Sequence, residues 1–152
     1  YGFLSGDRAL RMFADQLRLA ARRDGAFVAH IGGDDFFMSL PLERAAAEAS
    51  VRRLVDKFAQ DVASLYEPVH RAAGGISALD RAGVRRFFPL LRASASLLVL
   101  PADRSVLGED EIVARLAEGK NLAKASREGI SVNMLAPTRD ARALQAGLRL
   151  AV

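Results

Sequence analysis

The chain has 152 residues, 51% hydrophobic and 26% charged, which suits one domain with a core of its own and excludes a disordered chain. It has no cysteine and only two histidines, His30 and His70, so disulfides, thiolate nucleophiles, thiolate metal sites and multi-histidine zinc sites are excluded. No apolar run approaches the roughly 18 residues of a membrane span and no signal-peptide pattern opens the chain, so a cytoplasmic protein is expected. The net charge is +4, and of the 22 basic residues only Lys57, Lys120 and Lys124 are lysine. That bias is what a GC-rich bacterial coding sequence produces. The arginine pairs 22–23, 52–53 and 85–86 are scattered and aromatics are 7%, so the clustering that nucleic-acid binding requires is missing.

The first predicted element is a helix over Leu4–Arg23, with Leu10, Phe13, Ala14, Leu17 and Ala21 on one stripe and Asp24-Gly25 as its stop. Two apolar runs, Ala26–Ile31 and Phe36–Leu40, flank Gly32-Gly33-Asp34-Asp35 and read as a β-hairpin with the glycines at its tip. A second amphipathic helix follows from Glu43 to Leu65, with Val51, Leu54, Val55, Phe58 and Val62 on its stripe. Gly74–Leu79 and Val84–Phe88 form a smaller hairpin around Asp80-Arg81-Ala82-Gly83. Arg92–Leu100 ends wholly apolar, as a buried central strand does. A polar loop after Pro101 precedes a helix from Glu109 to Arg127, with Ile112, Val113 and Leu116 on its stripe and Gly129 as a stop. Ile130–Leu135 reads as an edge strand and Thr138–Val152 as a last helix. The order predicts an α+β fold, helices packed on a mainly antiparallel sheet.

The sharpest feature is His30-Ile31-Gly32-Gly33-Asp34-Asp35-Phe36-Phe37. Glycines in a hairpin turn take positive φ and let a ligand approach the backbone. Two acids at a strand start point to opposite faces, so one carboxylate can face a metal while the other does not. Taken alone, the segment also reads as an ordinary solvated turn.

With Gly2-Phe3-Leu4-Ser5-Gly6-Asp7 before it and Ala123-Lys124 after it, in that order, the sequence resembles the GGDEF domain of bacterial diguanylate cyclases, which join two GTP into cyclic di-GMP. The resemblance runs from Tyr1 to about Leu135. A weaker likeness of Tyr66–Leu90, with Arg86-Phe87-Phe88-Pro89-Leu90, is to the insertion in GGDEF domains that sit beside EAL phosphodiesterase and CBS modules. The resemblance implies a palm-like nucleotidyl-cyclase fold with an inserted hairpin near 74–88. It also implies a domain over 1–137 with a helical tail over 138–152.

Residue by residue, it implies that Asp7 accepts hydrogen bonds from guanine and that Gly32 and Gly33 bring backbone amides to the phosphates. Asp34 and Asp35 hold the catalytic positions, with Asp34 binding Mg²⁺ and assisting attack of a ribose hydroxyl on the α-phosphate. Lys124, with Lys120 one helical turn away, meets the triphosphate. Arg23 is what remains of the inhibitory cyclic di-GMP site, whose acid is replaced by Ala26.

Other departures are Asp35 in place of Glu, His30 in place of Arg and Phe3 in place of His. The resemblance also places a strand with a second metal-holding Asp before the position of Tyr1, so an N-terminally truncated domain is expected. Three readings follow. The first expected is a degenerate, regulatory module, inactive by itself and at most a weak binder of GTP or cyclic di-GMP, beside an EAL or sensor domain. The second is an active, Mg²⁺-dependent cyclase in a longer parent chain. The third is a homodimerisation module without ligand.

Overall fold

A computed structural model describes residues 2–100 and 108–135. The chain divides between Ala93 and Ser94 into two compact units.

In the first unit, helix α1 spans Gly2–Asp24, strand β1 Phe27–Gly32 and strand β2 Asp35–Ser39. Helix α2 spans Arg44–Val62, followed by a single 3-10 turn over Ala63–Leu65. The helices pack together through Val51, Val55, Phe58 and Val62 of the expected α2 stripe and through Ala9, Leu17 and Ala20 of α1, all buried. Of the expected α1 stripe only Leu17 is fully buried, while Leu10, Phe13, Ala14 and Ala21 are half-buried. Ala9, Phe58 and Val62 form the core, against which Met12, Phe13, Leu65 and Ala93 pack. Phe13 joins the hairpin to that core, lying edge-on to Phe58 at 4.9 Å and to Phe36 of β2 at 5.4 Å between ring centroids, the arrangement aromatic quadrupoles favour.

A short helix, α3 (Pro68–Ala73), was not expected from the sequence. Proline at its first turn supplies a fixed φ, and the left-handed Gly74 closes it. The second hairpin is β3 (Gly75–Leu79) antiparallel to β4 (Arg85–Pro89). Its turn is built on Asp80, whose Oδ1 accepts the Ala82 and Val84 N–H groups, each at 2.9 Å, while Oδ2 accepts from Arg86 Nε at 2.6 Å. These bonds hold the Asp80 carboxyl below the usual carboxylate range, the Val84 N–H contributing most.

In the second unit, strand β5 (Ala95–Val99) pairs in parallel with strand β6 (Ile130–Met134), with helix α4 (Glu109–Ala125) packed on both. In this two-stranded pair β6 is an edge strand, as expected, and its pairing is parallel, for which a helical crossover is needed. β5 is half-buried throughout rather than fully buried. Val113, expected on the buried stripe of α4, is 61% exposed, and the helix buries Gly119 and Ala123 instead. The α+β class holds; among the described residues the sheet is present as three two-stranded pieces, two antiparallel and one parallel. The helix expected over Thr138–Val152 and the loop after Pro101 lie outside the described residues.

Candidate functional site

The β1–β2 hairpin sets the site. Cross-strand partners run from Phe27 opposite Ser39 to His30 opposite Phe36, then Gly32 opposite Asp35, with the register shifting between His30 and Gly32. The two-residue tip is therefore Gly33-Asp34, not Gly32-Gly33. Gly32 belongs to β1, Asp34 to the turn and Asp35 to the first position of β2. The expected alternation of Asp34 and Asp35 on opposite faces of a strand does not arise, because only Asp35 is in one. Gly33 has φ +57, the left-handed conformation a two-residue hairpin turn requires at its first position, and a Cβ there would meet nothing within 4 Å. The turn is open on its outer side. Asp34 is exposed and Asp35 half-buried.

His30, itself exposed, braces the turn. Its ring stacks on Phe36, 4.6 Å between centroids and 20° between planes, and its Nε2 lies 3.0 Å from the Gly33 carbonyl oxygen. A carbonyl only accepts, so Nε2 carries the proton.

Between α1 and this hairpin lies a cleft of about 290 Å³, lined by Arg11, Ala14 and Arg18 of α1 and by Ala29, His30 and Phe36 of the hairpin. Asp7 falls on the same helical stripe, one turn before Arg11, and its side chain is exposed. Because α1 already begins at Gly2 and has no acid in its first turn, Asp7 is not a helix-opening acid. Arg11 and Arg18 were not singled out from the sequence. The i, i+4, i+11 spacing from Asp7 was the available signal.

Arg23 stands apart from this cleft. It lies with Arg53 and Lys57 around a groove of about 580 Å³ between α1 and α2. Its Nε and Nη2 donate to the Asp24 carboxylate at 2.8 and 2.7 Å, and Nη2 also reaches Ser50 Oγ at 3.0 Å. The Ser50 hydroxyl donates to Asp24 as well. The Arg23 bonds first, then the Ser50 bond, hold the Asp24 carboxyl down at about 2. Arg23 is thus already gripped by a neighbouring acid.

Lys120 and Lys124 belong to the second unit, one turn apart on α4, half-buried and exposed respectively. Among the described residues no three His, Asp or Glu side chains converge on a metal position. The donor set fits a hard cation held by one carboxylate, Asp34, together with phosphate oxygens of a ligand, and does not form a protein cage.

The family model for the diguanylate cyclase GGDEF domain matches residues 1–94. The chain belongs to the GGDEF domain family. That membership places it among the domains of the diguanylate cyclase family and cyclic di-GMP signalling. The matched span of the GGDEF domain ends one residue past the first compact unit, so Asp7, Arg23 and the signature turn lie within it and both lysines beyond it. No curated protein and no solved structure gave a significant match. Among the described residues of this GGDEF domain, no helix is long and apolar enough to cross a membrane.

Proposed function

We propose that this chain is a degenerate GGDEF domain of a bacterial cyclic di-GMP signalling protein, a regulatory module that binds nucleotide weakly. The observation that carries this reading is the signature turn. Its glycines are kept and open to a phosphate, while Asp35 and His30 stand where the resemblance expects Glu and Arg. The shorter Asp35 side chain withdraws a carboxylate by one methylene, and a positioned charge that misses its target loses most of its value in catalysis.

In this reading Asp7 accepts from the ring N–H and exocyclic amine of guanine. The Gly32-Gly33 backbone meets the phosphates. Asp34, together with phosphate oxygens of the nucleotide, would hold Mg²⁺, which would supply charge neutralisation at the α-phosphate. The Asp24 grip on Arg23 supports weak binding of cyclic di-GMP at the inhibitory remnant. The domain runs through residues 1–137, with 138–152 as a tail, in a cytoplasmic protein whose neighbouring EAL or sensor domain it regulates.

The second reading is an active cyclase in a longer parent chain. It is favoured by the retained Asp34 and by the order of the three motifs. A homodimerisation module without ligand is the third.

Titration of the ¹⁵N-labelled chain with GTP and Mg²⁺ separates them. Shifts at Asp7 and residues 32–34, saturating in the millimolar range, are the expected result. Cyclic di-GMP formed above a no-protein control, detected by chromatography, would establish the active reading. Absence of any shift at about 10 mM GTP, well past millimolar affinity, would overturn nucleotide binding in favour of the dimerisation module.

A further inference from the structure

We propose that His30 is the positioning residue of the signature turn: by donating Nε2–H to the Gly33 carbonyl, it orients the Gly33–Asp34 peptide so that the Asp34 N–H is presented on the far side as the donor to a phosphate oxygen. The inference rests on the nucleotide-binding reading above and specifies the backbone group that does the binding.

In a trans peptide the carbonyl and the following N–H point in opposite directions, and no described peptide bond is cis. The Gly33 carbonyl is drawn toward the His30 ring at 3.0 Å, so the Asp34 N–H faces away from that ring. A left-handed glycine at 33, with φ +57, has a low barrier against peptide rotation, because no Cβ restricts it. Without a partner for the carbonyl, the plane would therefore sample both orientations. His30 supplies that partner.

The ring itself is fixed. It stacks on its cross-strand partner Phe36, Phe36 meets Phe13, and Phe13 meets Phe58 of the buried core. Four aromatic rings thus connect the helical core to one backbone carbonyl. Protonation leaves the bond intact, since imidazolium also carries Nε2–H.

Three variants and one spectroscopic signature test this in the 152-residue chain. Long-range ¹H–¹⁵N correlation of wild type at neutral pH should show His30 as the Nε2–H tautomer. His30→Phe keeps a ring to stack on Phe36 but has no donor, and His30→Ala has neither. His30→Gln carries an amide N–H that can reach the same carbonyl. In the free protein, the Gly33 and Asp34 amide signals should broaden or move in His30→Phe and His30→Ala and return toward wild type in His30→Gln. GTP affinity should fall about five-fold in the first two variants, the change that ~1 kcal/mol gives, and recover in His30→Gln. An Nδ1–H tautomer, or wild-type turn signals in His30→Phe, would overturn the positioning role, since packing alone would then suffice. Failure of wild type to bind GTP would instead overturn the nucleotide reading, and the tautomer and turn signals of the free protein distinguish the two.

Discussion

Ser131 donates its hydroxyl to the backbone carbonyl of Gly119 at 2.7 Å, across the contact between β6 and α4. A strand reaches a helix carbonyl this closely only where the helix has no side chain in the way. A Cβ on Gly119 would stand 2.1 Å from Ser96 Oγ, 2.8 Å from Asn133 Nδ2 and 3.1 Å from Ser131 Oγ.

The first prediction follows from that contact. Gly119→Ala gains about 1 kcal/mol of helix propensity but forces α4 off the β5–β6 pair, an overpacking cost of roughly 1–3 kcal/mol. A net loss of stability is expected in urea titration, with the larger Gly119→Val worse still. A stabilised Gly119→Ala would contradict the packing.

Acid should act through Asp24. Its carboxyl ordinarily titrates near 3.8 and is held at about 2 in the fold by Arg23 and Ser50. A depressed folded pKa gives stability that is complete above the unfolded value and is lost as pH falls through the folded one. The loss attributable to this group therefore lies between about pH 4 and pH 2. Asp24→Asn should lower stability at pH 7 by about 1–2 kcal/mol and flatten the acid limb, as read from thermal midpoints across pH. An unchanged acid limb would show that the Arg23–Asp24–Ser50 cluster contributes nothing.

The Phe13 ring touches both Phe36 and Phe58. Phe13→Ala should cost roughly 2–3 kcal/mol, at or below the low end of the ~3–5 kcal/mol for buried phenylalanines because the side chain is half-buried. Hydrogen exchange should show β1 and β2 losing protection before α1 and α2. Equal loss in all four elements would mean that the hairpin is held by other contacts.

Ligand binding gives the fourth test. GTP should bind in the millimolar range, about −4 kcal/mol. Asp7→Ala should weaken it about ten-fold, since a charged hydrogen bond contributes roughly 1.5–3 kcal/mol. Asp7→Ala with unaltered affinity, measured by calorimetry, would remove Asp7 from the site.

Much of this was legible in the chain itself. Residues on a 3.6-residue period fixed α1 and α2, because burying one stripe is the only way such helices shed apolar surface. Apolar runs on either side of Gly32-Gly33-Asp34-Asp35 located the hairpin, since glycines supply the positive φ its turn needs. The ordered motifs pointed to the GGDEF family before any geometry was known. What the sequence did not carry was anything decided by contacts between distant residues. Register placed the tip at Gly33-Asp34 one residue later than expected, because the irregularity after His30 depends on how two strands pair. Gly119 looked like an unremarkable helix residue until β5 and β6 lay against it. Arg23 looked available until Ser50, twenty-seven residues away, was found holding its partner acid. Periodicity and turn chemistry are local and can be read along the chain, whereas register, close approach and charge pairing exist only once the chain has folded.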